Sequence, residues 1–182
     1  MTRLTVHITG ASGAGTSTLG RALAAHTGAI HLDTDYFYWL PDAPAFTARR
    51  PKPDLLRLVD AAIVNAADRG WVLSGSVGEW GAPLIRHFGL VVFLFTPTEI
   101  RLARLRAREA TQFGEAAVAP GGERHEEHEE FIAWAAGYDS GKTAGRNLAF
   151  HEAWLAKLPC PVLRLDGAEL VENLVEKVLS AL

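Results

Sequence analysis

Three short stretches carry residues whose types and spacing could do chemistry. The first is GASGAGTST, Gly10 to Thr18. It fits G-x-x-x-x-G-K-[S/T], the spacing of a phosphate-cradling loop, at every position except Thr16, which stands where the pattern has lysine. Glycines at 10, 13 and 15 let the backbone curl so that consecutive amides converge on an anion, and a helix starting near Thr16 adds its positive end. Neither contribution needs a lysine. Gly10, Ala11, Ser12, Gly13, Ala14, Gly15, Thr16, Ser17 and Thr18 are therefore the candidate phosphate-binding residues, with Ser17 placed to offer its hydroxyl to Mg2+. The plain alternative, a glycine-rich turn without a ligand, fits less well with the strand before, the helix after and the intact remaining positions.

The second stretch is DTDYFYW, where Asp33 and Asp35 follow a short apolar run. Two carboxylates spaced i, i+2 after a strand are expected to point to one side, one serving a metal's water shell and the other accepting a proton from an attacking hydroxyl. A solvated turn in which the aspartates bond backbone amides is the competing reading. Tyr38 and Trp39 could stack on a planar ligand or pack in the core, and Arg49 and Arg50 could grip a phosphorylated acceptor or be surface charges. The third stretch is EIRLARLRARE, in which Arg101, Arg104 and Arg108 fall on one helical stripe. They could supply the charge missing at Thr16, with Arg146 and Lys142 as weaker candidates, or form a solvated basic face. His125 and His128 lack a third ligand for zinc, and the acidic run around them is expected to face away from phosphates.

The elements that must position these groups follow from periodicity. Apolar runs LTVHIT, AIHLD, WVLSGS, LVVFLF and PVLRLD read as strands, with LVVFLF buried on both faces. Helical spacing runs from the loop to Gly28, from Asp54 to Arg69, from a capping Thr98 to about Glu109, from about Ala144 to Leu158, and through the C-terminal LVENLVEKVLSAL. The tract PDAPAFTARRPKP is too rich in proline for a helix, and residues 111–145 lose periodicity as a mobile flap would. Strands alternating with helices predict a parallel sheet covered on both faces.

A chain of 182 residues, 48% of them hydrophobic, suits one domain with one sizeable core. A net charge of -3 provides no global basic field, so nucleic acid is not an expected partner, and no apolar run is long enough to predict a membrane span. The single cysteine, Cys160, in the apolar PCPVLRL, predicts a buried reduced thiol and a cytoplasmic address, and no signal peptide is expected.

GASGAGTSTLGRALA together with LDTDYFYW resembles the P-loop small-molecule and nucleotide kinases: adenylate kinase-like, uridine kinase-like and shikimate kinase-like proteins. The Asp33/Asp35 pair is similar to that of shikimate kinases, DYFY to the D-x-F-Y of uridine kinases, and LVVFLFTPTEIRLARLRARE to the strand and arginine helix leading into their lid. The resemblance implies a three-layer α/β/α sandwich with a five-stranded parallel sheet and a lid over about 111–145. It also implies ATP and Mg2+ as cofactors, phosphoryl transfer to a small-molecule acceptor, Asp35 binding and activating the acceptor hydroxyl, and Asp33 nearer Mg2+. Arg104 and Arg108 are the arginines expected to stabilise the transferring group, and Tyr38, Arg49 and Arg50 are expected around the acceptor. A nucleoside or nucleoside monophosphate is the expected acceptor. A polyol or hydroxy acid, or a nucleotide-binding regulator that lost catalysis with the lysine, are the alternatives. Thr16 and the turn SGSVGEWGAP, where adenylate kinases carry D-G-F-P-R, depart from the pattern.

Overall fold

The computed structural model describes residues 3–41, 48–78, 80–142 and 145–182. Five strands, β1 (Thr5–Gly10), β2 (Ile30–Asp33), β3 (Trp71–Ser74), β4 (Leu90–Phe95) and β5 (Val162–Asp166), form one sheet in the order β2-β3-β1-β4-β5. Every pairing is parallel. β1, β3 and β4 lie inside the sheet and are buried along nearly their whole length, β3 and β4 as almost unbroken apolar runs and β1 with His7 and Thr9 among its buried residues.

One face is covered by α1 (Thr16–Thr27) and α8 (Val171–Ser180), whose Leu19, Leu23, Leu174, Val175 and Val178 pack on Val6, Ile8, Val92 and Leu94. The other face is covered by α3 (Lys52–Ala66), a 3-10 turn at Ala82–His87 and α7 (Leu148–Leu155). Leu55, Val59, Ile63, Leu84 and Leu155 meet Leu73, Val91 and Phe93 there. This is the α/β/α sandwich expected from alternation of strands and helices.

Register brings the chemistry together. Ser74 lies level with Ile8 on one side and Asp33 on the other, so the loop after Gly10, the segment after Asp33 and the turn at Gly75 leave the sheet at one edge. The chain leaves β1 toward β2 and β4 toward β5, reversing direction beside β1, where open α/β sheets leave a crevice.

The sequence expectations need four corrections here. Asp33 does not open a turn: its Oδ1 accepts from the Asp35 amide at 3.1 Å and caps a short helix, α2 (Thr34–Tyr38). Thr98 does not cap α4 (Thr98–Phe113), which begins after Pro97; its hydroxyl instead donates to Asp139, and the helix runs past Glu109. The segment expected as an aperiodic flap holds α5 (Glu115–Val118) and α6 (His125–Ala136), and Ile132 and Ala135 of α6 are buried against Leu105. Finally, α7 is shorter than expected and starts after Asn147, whose Oδ1 accepts from the Phe150 amide at 2.9 Å. Ala144 and residues 42–47 of the proline-rich tract lie outside the described residues. Cys160 is a free, half-buried thiol.

Candidate active site

A cavity of about 770 Å3 opens at this sheet edge. Its floor is the phosphate loop, through Gly10, Ala11, Ser12, Gly13, Thr16 and Ser17. Gly13 has φ 79, and a Cβ there would meet the Arg101 carbonyl oxygen at 2.7 Å, so only glycine fits the curl. Gly15, also left-handed, precedes α1 without any side-chain cap. Among the described residues the amides of Gly13, Gly15, Thr16 and Ser17 donate to no backbone carbonyl. Such a set of free donors at a helix start is an anion site. Ala14, Gly15 and Thr18 do not line the cavity; Ala14 is buried, with its carbonyl accepting from Thr96 Oγ1 at 3.0 Å.

One wall comes from α2 and the residues after it: Thr34, Asp35, Tyr38, Trp39 and Arg49. Asp33 and Asp35 do not share a side. Asp33 is buried in its capping role, whereas Asp35 faces the cavity, and its carboxylate accepts no hydrogen bond among the described residues. Asp35 is reached by solvent through the cavity yet ringed by protein. Desolvation raises its pKa, the Asp33 charge adds to this, and Arg146 and Arg108 pull the other way. A carboxylate held above its ordinary range is a better proton acceptor.

Tyr38 and Trp39 meet edge to face at 4.9 Å, and the Arg49 guanidinium lies 5.9 and 6.0 Å from their ring centroids. Arg50 is not part of the cavity: its Nε donates to the Phe37 carbonyl at 2.8 Å, closing the strand-like pairing of Trp39 with Arg49. That corrects the expectation of an arginine pair on the acceptor. Gly75, Ser76, Gly78 and Trp80 complete this side, a contribution of the turn after β3 that went unremarked in the sequence beyond its departure from D-G-F-P-R.

The arginine stripe separates into three roles. Arg101 is 0% exposed; it donates through Nε to Thr96 O (3.0 Å), through Nη1 to Ala135 O (3.2 Å) and through Nη2 to Asp139 (3.1 Å). It staples the roof to the sheet edge. Arg104, expected at the transferring group, does not line the cavity: its Nη1 donates to Gly167 O at 3.0 Å and Ala14 O at 3.4 Å, beneath the loop. Arg108 does line the cavity, over the Phe131 ring at 5.9 Å.

The roof is made by Glu109, Phe113 and Val118, by Arg124, Glu127, His128, Phe131 and Trp134, and by Arg146. The acidic run does not turn away as a whole, since Glu127 and His128 face the cavity. Glu127 pairs with Arg124 at 2.7 Å, which offsets its charge locally, and Glu109 is hydrogen-bonded to His128 Nδ1 at 2.7 Å. Arg146 stands out. Its Nη2 donates to Ser12 Oγ of the loop, its guanidinium lies 5.3 Å from the Trp134 centroid, and its Nε is buried without a partner among the described residues.

No group of three or more His, Cys, Asp or Glu side chains gathers to hold a metal among the described residues. Ser17 lines the cavity with a hard oxygen donor that suits Mg2+, which takes few protein ligands and completes its shell with phosphate oxygens and water, whereas Asp33, expected nearer Mg2+, is buried as the cap of α2 and does not line the cavity. No helix is long and apolar enough to cross a membrane among the described residues.

Comparison with known proteins agrees with this geometry. The model of the family described as an AAA domain matches residues 6–129. The chain is 43% identical over 177 residues to the uncharacterized protein YqaC of Bacillus subtilis (strain 168), covering 97% of this chain and 96% of that one. Its fold is similar to that of shikimate kinase from Acinetobacter baumannii (TM-score 0.58, 17% identity, 99% and 93% of the two chains). It is also similar to a sugar kinase from Janibacter sp. HTCC2649 (0.52, 17%, 98% and 94%) and a gluconokinase from Sinorhizobium meliloti 1021 (0.51, 14%, 98% and 92%). The family match spans the loop, the Asp35 wall and most of the roof, and it makes this chain a member of the AAA domain family, with a five-stranded parallel sheet in the fold shared with shikimate kinase.

Proposed function

We propose that the protein transfers the terminal phosphoryl group of ATP, in the presence of Mg2+, to a small acceptor held against Asp35. The observation that carries this reading is the meeting, in one cavity, of a loop of free amides and a carboxylate with a raised pKa and no hydrogen-bond donor among the described residues. The Gly10–Ser17 backbone holds the donor phosphates. The acceptor oxygen attacks the terminal phosphorus, its bond to the bridging oxygen of ADP breaks, and Asp35 takes the proton of an acceptor hydroxyl. Arg108 and Arg146 flank the transferring group and offset charge as it spreads over the phosphoryl oxygens. Ser17 would hold Mg2+, which when bound would supply charge neutralisation at the phosphates.

A nucleoside or nucleoside monophosphate is the acceptor that the aromatic walls favour, because Tyr38, Trp39, Trp80, Phe131 and Trp134 offer faces for a planar base. A sugar, polyol or hydroxy acid is the second reading. It draws support from the fold neighbours, named as sugar, shikimate and gluconate kinases. Turnover of ATP across nucleosides, nucleoside monophosphates, polyols and hydroxy acids separates the two. Thermal stabilisation by ATP with no transfer to any member of that panel would instead mark a nucleotide-binding regulator.

A further inference from the structure

We infer that Arg146 carries the charge that the phosphate loop lacks at Thr16, reaching onto the loop at Ser12 from the residue before α7's cap. This rests on the reading of the loop as a phosphate site. Three observations support it. The other arginines make no hydrogen bond to a loop side chain among the described residues: Arg101 and Arg104 donate to carbonyl oxygens, and Arg108 lines the cavity over Phe131 in the roof. Arg146 alone of these touches a loop side chain from within the cavity, through Ser12 Oγ.

Arg146 is also held in place on both sides. Asn147 caps α7, the Leu148 amide donates to Tyr138 O at 3.0 Å, and Trp134 lies under the guanidinium. A long side chain so fixed loses little further entropy when it meets a ligand. Its hydrogen bonding, finally, is unfinished. Nε is buried without a partner among the described residues, and a buried guanidinium with unused donors is costly unless something in the cavity accepts from it. Asp35, on the opposite wall, supports the charge without bonding to it. A phosphate oxygen at the loop would satisfy these donors as a bidentate partner.

Competing uses of Arg146 are a latch that only holds the roof closed and a ligand for an acidic acceptor. Neither is coupled to the side chain at position 16. The test is a cycle of four proteins, the unmodified chain, Thr16→Lys, Arg146→Met and the double variant, titrated by calorimetry with metal-free tripolyphosphate and with ATP in EDTA. Loss of Arg146 should weaken tripolyphosphate binding by about tenfold or more when residue 16 is Thr, and by less than about threefold when it is Lys. Thr16→Lys alone should tighten binding. Equal losses in both backgrounds, or no loss at Arg146→Met, would overturn the inference.

Melting curves guard against misfolding, and Arg146→Lys and Arg146→Gln provide a second pair. The lysine variant should bind tripolyphosphate more tightly than the glutamine variant by about fivefold or more at matched melting temperature, and equal affinity would also overturn the inference. Absence of any binding to the unmodified chain would remove the phosphate-site reading itself. Retained transfer in Asp35→Asn would remove the catalytic reading while leaving this one standing.

Discussion

At the floor of the cavity, recognition is left to the main chain: Gly13 and Gly15 take left-handed conformations, and among the described residues the amides of Gly13, Gly15, Thr16 and Ser17 stay free of backbone partners. At the roof it is left to side chains, with Arg108, Arg146, Phe131 and Trp134 facing the same space and the carboxylates Glu109 and Glu127 each engaged by a neighbour. A floor of amides is insensitive to most side-chain changes and depends on a few glycines. A roof of side chains depends on how each is held. Loss of the loop lysine is tolerable in this arrangement because charge can be delivered from above while the amides still seat the phosphate.

Asp35 stands between the two regions, and its removal should have the largest effect. Asp35→Asn should leave ATP affinity within about twofold while transfer falls by about 10^2 to 10^4, the range for loss of a general base. Titration of the Asp35 carboxyl by NMR should place its pKa above the ordinary aspartate value. Because Arg146 holds that pKa down, Arg146→Met should raise it further. A pKa unmoved by Arg146→Met would disconnect roof from wall.

Breaking the roof's anchor comes next. Arg101→Met strips donors from Thr96 O and Ala135 O and leaves Asp139 without its cation, and should cost about 3 kcal/mol in a denaturant titration. A loss under about 1 kcal/mol would mean that the roof is held by its apolar contacts instead. On the floor, Gly13→Ala should cost about 2 kcal/mol and abolish ATP-induced stabilisation, through the positive φ and the clash with Arg101 O. If it leaves ATP binding intact, the amide cradle is not what holds the phosphates.

The smallest effect concerns acid. His7 and His151 are buried, and burial lowers each pKa from 6.5 to about 4. The unfolded chain takes up these protons first, so the stability is fully present above pH 6.5 and drains as pH falls toward 4. At pH 5.5 each should cost roughly 1 kcal/mol, and His7→Leu should flatten the dependence of melting temperature on pH between 7 and 5.5 by about half. An unchanged slope would mean that His7 takes up its proton as readily in the folded chain as in the unfolded one.

The sheet and the floor were legible because their signals are local. Apolar runs of four to six residues mark β1 to β5, and glycines at fixed spacing need no distant partner to be understood. The roof was not, for physical reasons visible in single residues. Arg101 reads as surface charge because nothing nearby in the chain reveals that Ala135 and Asp139 will meet it across 34 and 38 positions. The face of α6 that packs inward includes His128, which hides the helical period in a run of glutamates until Glu109 is seen beside it. Asp33 was read as a side chain for the cavity because capping by Oδ1 of the next helix depends on α2 being a helix at all. Arg146 lay after an aperiodic tract, and its approach to Ser12, 134 positions away, is a product of the tertiary fold alone.

The central claim is that main-chain amides seat a triphosphate in a loop without its own cation. Calorimetry of the unmodified protein with Mg-ATP tests it most directly. The account predicts saturable one-to-one binding with a Kd below about 1 mM, equivalent to roughly -4 kcal/mol or better. No heat of binding at ATP concentrations of about 5 mM, where such a site would be over four-fifths filled, would contradict it.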